Sequence, residues 1–406
     1  MSGGKPFKSI NDLTALTADT IFETAMGITG NDKAIAQYRQ QLLSSSPTST
    51  ANADSPDAEF HFSEYQPHGL LRTIEVLASV AGTFPTALFQ SLHWPLHNLR
   101  PVVRRARADR FAIIQHYIDS ALERWESEGP PQKPRWALDL IIKRERAAAQ
   151  KAGRAADYAS RLFHDAVYGY CLGGQDTTHS ALSFLVMHFG RYPAAQDKLR
   201  RHLRAAHAAA VAEGGRPPTS DEICKTSVPY LDAFIEEVLR LNTTASAVIK
   251  ETMQDINLLG HRVPKGHQIL VPLWGACIDS PAFPIREADR SSTSQEHAAT
   301  TPADWSSSPY PASEFHPERW LRRSDDDDEG RVVFDPRAGP QMTFSLGPRE
   351  CWGKRLAYLT LRLVTTLLVW NFDFHPLPEG MDSAEVVDVL NAKPKVSLIR
   401  PSVRAE

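Results

Sequence analysis

In the run FSLGPRECWGKRLAYLTLRL, residues 344–363, a Gly-Pro turn delivers Cys351 just ahead of an apolar-striped helical segment. A helix start carries partial positive charge, and Arg349 and Lys354 add two full ones, so the position favours a thiolate, a soft anion suited to iron. Gly347 and Gly353 let the backbone approach a flat cofactor closely. An arbitrary cysteine behaves as an inert small hydrophobe; the surrounding pattern is what singles this one out.

A second group, Gly173-Gly174-Gln175-Asp176-Thr177-Thr178, lies inside the clearest helical pattern of the chain. Each glycine in a helix interior costs up to about 1 kcal/mol against alanine, so something must need a bulk-free turn there. Asp176 beside Thr177 sets a carboxyl next to a hydroxyl in a buried helix, an expensive arrangement for packing alone. A lone threonine could simply bond its own helix carbonyls. A third group is Glu237 and Arg240, which meet at i and i+3. Glu237 shares the stripe of Phe234 and Leu241, so it must be at least half buried and in need of partners.

These strings resemble motifs of the cytochrome P-450 superfamily. Phe344-x-x-Gly347-x-Arg349-x-Cys351-x-Gly353 is similar to its haem-binding loop at every anchor position, and GGQDTT resembles its oxygen-activation motif. FHPERW, residues 315–320, resembles the segment that completes a Glu–Arg–Arg cluster. The resemblance implies that Cys351 is the axial iron ligand and that Phe344 packs near the sulfur. It also implies that Arg349 meets a propionate of haem b (iron protoporphyrin IX) and that Gly353 admits the macrocycle. Thr177 would deliver protons to bound oxygen with Asp176 feeding it, the glycines opening a groove for dioxygen. Glu237, Arg240 and Arg319 would hold the cysteine loop. Lys250 takes the place of a propionate-binding arginine, supplying a point charge without the bidentate fork, and Trp320 stands where phenylalanine is common.

The fold so implied is mainly α with a small β region, a cytochrome P-450-like fold lacking its N-terminal portion, with one partial haem domain over residues 1–406. LTALTADTIFETAMG resembles a helix that lies well inside the catalytic domain of complete members. The chain is therefore expected to start late, without the membrane anchor, the first strands and the helix whose Trp and Arg hold a propionate. The implied activity is a monooxygenase oxidising an apolar small molecule with dioxygen, of the fungal type that tailors secondary metabolites. Electrons would come from NADPH through a separate reductase, because the chain has no G-x-G-x-x-G or flavin motif. Two other readings stay open. One is a haem-thiolate isomerase or dehydratase using no external electrons, against which the Asp176–Thr177 pair argues. The other is a truncated, non-catalytic relic that keeps the helical core as a binding protein.

The bulk composition leaves room for this chemistry. The 406 residues carry 45 Lys and Arg against 48 Asp and Glu, which excludes a nucleic-acid footprint. Cys171, Cys224, Cys277 and Cys351 stand far apart with no C-x-x-C pair, fitting a reducing compartment. The N-terminus has neither a signal peptide nor a span, and the apolar stretch at residues 76–89 can at most dip into a lipid surface. The cytoplasmic side is expected, with at most peripheral contact to the endoplasmic reticulum.

Apolar periodicity predicts helices over residues 10–27, 70–82, 102–125 and 159–191, and another after Pro229; the helix over 159–191 is expected to bury a stripe of Phe163, Ala166, Val167, Tyr170, Cys171, Gly174, Thr177, Ala181, Leu182, Leu185 and Phe189. The basic cluster of residues 92–110 reads as a solvated helix face. INLLGHRVPKGHQILVPLW predicts short strands turned at Gly260 and at Pro264-Lys265-Gly266. Residues 286–313, rich in Ser, Thr, Ala and Pro, read as a surface insertion, and the acidic run 325–329 as a loop. The final helix is expected to bury Leu356, Leu359, Leu363, Val364 and Leu367.

Overall fold

The computed structural model describes residues 4–44, 55–63, 65–84, 87–273, 281–282, 284–300, 304–324, 330–388 and 391–404. The acidic run 325–329 and Cys277 lie outside them.

Helices come first: α1 (Ile10–Met26), α2 (Ala34–Ser44), α3 (Gly69–Gly82), α4 (Gln90–His97), α5 (Pro101–Glu128), α6 (Ala137–Lys151) and α7 (Arg161–Arg191). They continue with α8 (Pro193–Ala206), α9 (Ala208–Ala212), α10 (Ser220–Lys225), α11 (Pro229–Leu241), α12 (Ser292–Thr300) and α13 (Lys354–Asn371). The strands are short: β1 (Phe7–Lys8), β2 (Ala247–Glu251), β3 (Ile256–Leu258), β4 (His261–Val263), β5 (Gln268–Pro272), β6 (Leu321–Arg323) and β7 (Val332–Phe334). After α13 follow β8 (Phe372–Phe374), β9 (Val386–Asp388), β10 (Ala392–Pro394), β11 (Leu398–Ile399) and β12 (Pro401–Val403). Among the described residues every sheet is an antiparallel pair: β1 with β11, β2 with β5, β3 with β4, β6 with β7, β8 with β12 and β9 with β10. A mainly α chain with a small β region is what the sequence predicts.

Local signals set the boundaries. Ser160 caps α7 by accepting the Phe163 N–H, Thr219 and Glu222 form a capping box at α10, and Pro229 opens α11. The expected turns hold, but β2 pairs with β5 and encloses the β3–β4 hairpin. On α5, Val103 and Ala106 are buried while Arg104, Arg105 and Arg107 face solvent, so the basic cluster is indeed a wet face.

Two apolar clusters form the core. The first joins α1, α2, α3, α5 and α6 to the start of α7, from Phe163 to Cys171. The second joins α8, α11 and α13 to the end of α7, from Ala181 to Phe189, with Phe315 and Phe374. The 31-residue α7, roughly 46 Å long at 1.5 Å per residue, is the shared spine. Its residues 173–180 belong to neither cluster.

Three expectations need correction. On α13, Leu359 and Leu367 are exposed, and the buried face is Thr360, Leu361, Thr365, Thr366, Val369 and Trp370. The apolar count misled because threonines face the second cluster. Ala166, expected on the buried stripe of α7, is exposed. Within residues 286–313, α12 is solvated, but Trp305 is buried and Ser308 and Pro311 bond Arg319, so the end of that segment belongs to the interior.

Candidate active site

After β7 the chain runs into the loop that carries Cys351. Gln341 and Thr343 hang this stretch on α11: the Thr343 hydroxyl donates to the Leu239 carbonyl at 3.0 Å and the Gln341 amide to the Glu236 carbonyl at 3.4 Å. Ser345 and Gly347 take left-handed backbone, with φ of 58° and 76°. The fold-back is closed where the Cys351 N–H donates to the Phe344 carbonyl at 2.8 Å. The Phe344 ring rests 5.0 Å from that of Tyr358, whose hydroxyl donates to Glu236 at 2.6 Å. Burial raises the Glu236 carboxyl to about 6 against that bond.

The Cys351 thiol is free and exposed, unlike Cys171, which is fully buried and pushed by that burial up to about 12. A Cβ at Gly353 would sit 3.7 Å from the Cys351 sulfur, so the loop is bare on that side. Next to it, Trp352 is 74% exposed and its ring lies 5.0 Å from Tyr170 of α7. The cysteine loop thus stands against α7 one turn ahead of the glycine pair.

The two glycines serve different purposes. At Gly173, as at Gly169 one turn earlier, a Cβ would meet nothing within 4 Å, so this side of α7 faces open space. At Gly174 a Cβ would fall 2.8 Å from Ile21 Cδ1, so this glycine lets α1 cross α7. The resemblance gave both a share in the open groove; only Gly173 lies beside one. The Thr177 hydroxyl donates to the Gly173 carbonyl at 2.7 Å. Asp176 is turned the other way: it accepts from Asn391 Nδ2 at 2.6 Å and lies 3.8 Å from Lys393 Nζ on β10. Among the described residues no hydrogen bond joins the two side chains. Glu75 of α3 completes the group. It is exposed, yet protein surrounds it closely enough that lost hydration raises its carboxyl to about 7. Lys393 opposes the rise and Asp176 adds to it.

Glu237, Arg240 and Arg319 do come together, with fully buried side chains. Arg240 donates to both Glu237 oxygens at 2.8 and 2.9 Å, and Arg319 Nε donates at 2.7 Å. The His316 N–H and the Trp320 indole N–H each add a bond of 2.9 Å. Both lone-pair regions of the carboxylate are therefore filled, which a buried charge requires. The departure from phenylalanine at 320 supplies one of these donors.

The side chains of Arg349 and Lys250 are exposed and form no hydrogen bond or ion pair with a described residue. The structure leaves both cations available to an anion. A bare thiol beside an open, glycine-lined helix face, with uncommitted cations on the same chain, is a donor set that suits a flat, anionic metal macrocycle. Sequence reasoning missed Trp305, Glu75, Asn391 and Lys393. A lone tryptophan in a Ser- and Pro-rich stretch was a usable signal for the first. Nothing local marks the other three, whose partners lie far away along the chain.

The family model described as Cytochrome P450 matches residues 6–285 and 309–400. The chain is similar to the Hps1-dma1 cluster cytochrome P450 monooxygenase cyp3.1 of Dothistroma septosporum, 37% identical over 72% of this chain and 96% of that one. It is similar to the cytochrome P450 monooxygenase TRI13 of Fusarium sporotrichioides, 30% identical over 98% of this chain and 70% of that one. It is also similar to the cytochrome P450 monooxygenase xilC of Penicillium rubens, 30% identical over 99% of this chain and 68% of that one. Among solved structures, a retinoic acid-bound cyanobacterial CYP120A1 superposes with a TM-score of 0.60 at 21% identity, covering 97% of this chain and 69% of that one, a likeness of fold. With its motifs in order on this fold and most of its length matched, the chain belongs to the cytochrome P450 family, as an enzyme of that type.

Proposed function

We propose that the chain is a haem-thiolate monooxygenase that oxidises an apolar small molecule in secondary-metabolite biosynthesis. The observation that carries the reading is the exposed Cys351 thiol, whose neighbour Trp352 packs on Tyr170 of α7 one turn ahead of Gly173, where a Cβ would meet nothing within 4 Å. Haem b, when bound, supplies a redox-active iron at which dioxygen is activated. Cys351 Sγ is the residue that holds the metal, and Phe344 and Gly353 shape its surroundings. Arg349 and Lys250 are the cations for the propionates. Glu237, Arg240 and Arg319 fix α11, from which the cysteine loop hangs.

On the other side of the cleft, Thr177 Oγ holds a proton that it now shares with the Gly173 carbonyl, and a side-chain turn presents it to the open side. Asp176, with Glu75 as a neighbouring acid whose carboxyl is held above the usual range, is the source that resupplies it. Ile249 and Leu270, paired across β2 and β5 and more than 60% exposed, support an apolar substrate. One similar protein, that of Dothistroma septosporum, is named for the Hps1-dma1 cluster, which favours a place in secondary metabolism. Electrons come from NADPH through a separate reductase.

No described helix is long and apolar enough to cross a membrane. Leu88, Phe89, Leu92, Leu96 and Leu99 around α4 are exposed beside Arg100 and Arg104, and they support peripheral contact with a lipid surface at the endoplasmic reticulum.

The test is the carbon monoxide complex of the reduced, haem-reconstituted protein, which should show the red-shifted Soret band of thiolate-ligated iron. Cys351→Ala should abolish that band. Thr177→Ala should keep it and waste NADPH and oxygen without product. No band from folded, haem-loaded protein would favour the non-catalytic binding reading, and product formed without NADPH consumption would favour the isomerase.

A further inference from the structure

Trp305 is 4% exposed in a stretch rich in Ser, Thr, Ala and Pro, and the family model passes over residues 286–308 that contain it. The guanidinium carbons of Arg240 and Arg319 lie 5.2 and 5.1 Å from its ring centroid. Two like charges bound to one carboxylate repel each other, and the negative ring face offsets part of that repulsion. The Trp320 ring meets Trp305 at 4.8 Å and 71°, edge to face, while its own N–H reaches Glu237. Against the six-membered ring of Trp305 lies Gly339, where a Cβ would come within 2.5 Å of ring carbons. The backbone is therefore pressed onto the indole just where the stem of the Cys351 loop begins.

We infer that Trp305 and Trp320 are positioning residues for the Cys351 loop. They form an indole clasp that ties the buried Glu237–Arg240–Arg319 cluster to Gly339, and so fixes the backbone that presents the thiol. For its consequence at the thiolate, the clasp rests on the function proposed above. The unpartnered, buried indole N–H of Trp305 among the described residues shows that the ring, not its polar edge, serves at this position. Phenylalanine, which keeps an aromatic face, should therefore replace it. Leucine, which fills space without a π face, should not.

The experiment compares wild type with Trp305→Ala, Trp305→Phe, Trp305→Leu and Trp320→Phe by two readouts. The first is the share of bound haem that gives the thiolate Soret band in the reduced carbon monoxide complex, taken at equal haem content in folded protein. Trp305→Ala and Trp305→Leu should lower it several-fold, Trp320→Phe should lower it less, and Trp305→Phe should stay near wild type. The second is hydrogen exchange of residues 339–351 in haem-free protein, which should speed up about tenfold in the Ala and Leu variants while α3 and α5 keep their protection. Leucine behaving like phenylalanine would reduce Trp305 to a space filler and overturn the clasp. So would a wild-type band share and wild-type exchange in Trp305→Ala; if that variant does not fold, Trp305→Leu decides. A wild type without any thiolate band defeats the proposed function, and the exchange readout still judges the clasp.

Discussion

Gly174 and Ile21 touch so closely that α7 has no room for a methyl group at 174, 2.8 Å from Ile21 Cδ1. One residue earlier, Gly173 faces space. Gly174→Ala should destabilise the fold by about 1–3 kcal/mol, the usual cost of overpacking. Gly173→Ala should stabilise the haem-free chain by up to about 1 kcal/mol through helix propensity, while obstructing the cleft. Urea denaturation of both variants checks this; equal effects would mean the two positions are not distinct.

Glu237 is the hub of its cluster, so removing its charge strands two guanidiniums in the interior. Glu237→Gln should cost about 3–5 kcal/mol, as should Arg319→Ala. The double variant should cost less than the sum of the two, because each change already breaks the same cluster. Denaturation midpoints across this cycle are the measurement, and strict additivity would show that the partners do not cooperate.

His188 is fully buried and its imidazole is lowered to about 4 by that burial, with the Phe184 carbonyl opposing. Its Nδ1 lies 2.8 Å from that carbonyl and Asn242 Nδ2 lies 3.4 Å from Nε2, a pairing that suits the neutral ring. A depressed histidine supports the fold fully above its unfolded value of 6.5, and the support drains away as pH falls towards 4. The whole shift is worth roughly 3 kcal/mol. His188→Gln should flatten the stability profile between those two pH values, measured by thermal melts. An unchanged slope would mean that His188 does not titrate there.

Glu75 has the opposite sign. Its carboxyl is raised from 4.5 to about 7, so its contribution is most favourable below 4.5 and is lost as pH climbs through 7. Glu75→Gln should gain on wild type over that interval, and in haem-loaded protein it should slow coupled turnover more at low pH than at high. A pH series of melts on the two proteins checks the first statement, and equal curves would remove Glu75 from the proton supply.

Much of this was legible in sequence because the deciding signals are local. The turn residues around Cys351, the glycine pair in α7 and the i, i+3 spacing of Glu237 and Arg240 each act over a few residues. Apolar periodicity located α1, α3, α5, α7, α11 and α13 for the same reason, while α2, α6 and α8 went unread. It failed on α13, where Thr360, Thr365 and Thr366 occupy the buried face, because periodicity weighs hydrophobic type and not what a neighbouring helix accepts. The hold of Asn391 on Asp176 was invisible because it links positions 215 residues apart. Trp305 was lost to its polar neighbours, which mask one buried ring in a segment that is otherwise solvated.

The two apolar clusters share α7 as a spine and leave its residues 173–180 to neither. Their thermodynamic coupling passes through that helix and through α1, which sets Leu13 in the second cluster and Ala15, Ala18 and Ile21 in the first. A rigid disc seated beside these helices would add one more link between the halves, so the prosthetic group would reinforce a cooperativity that the polypeptide already carries.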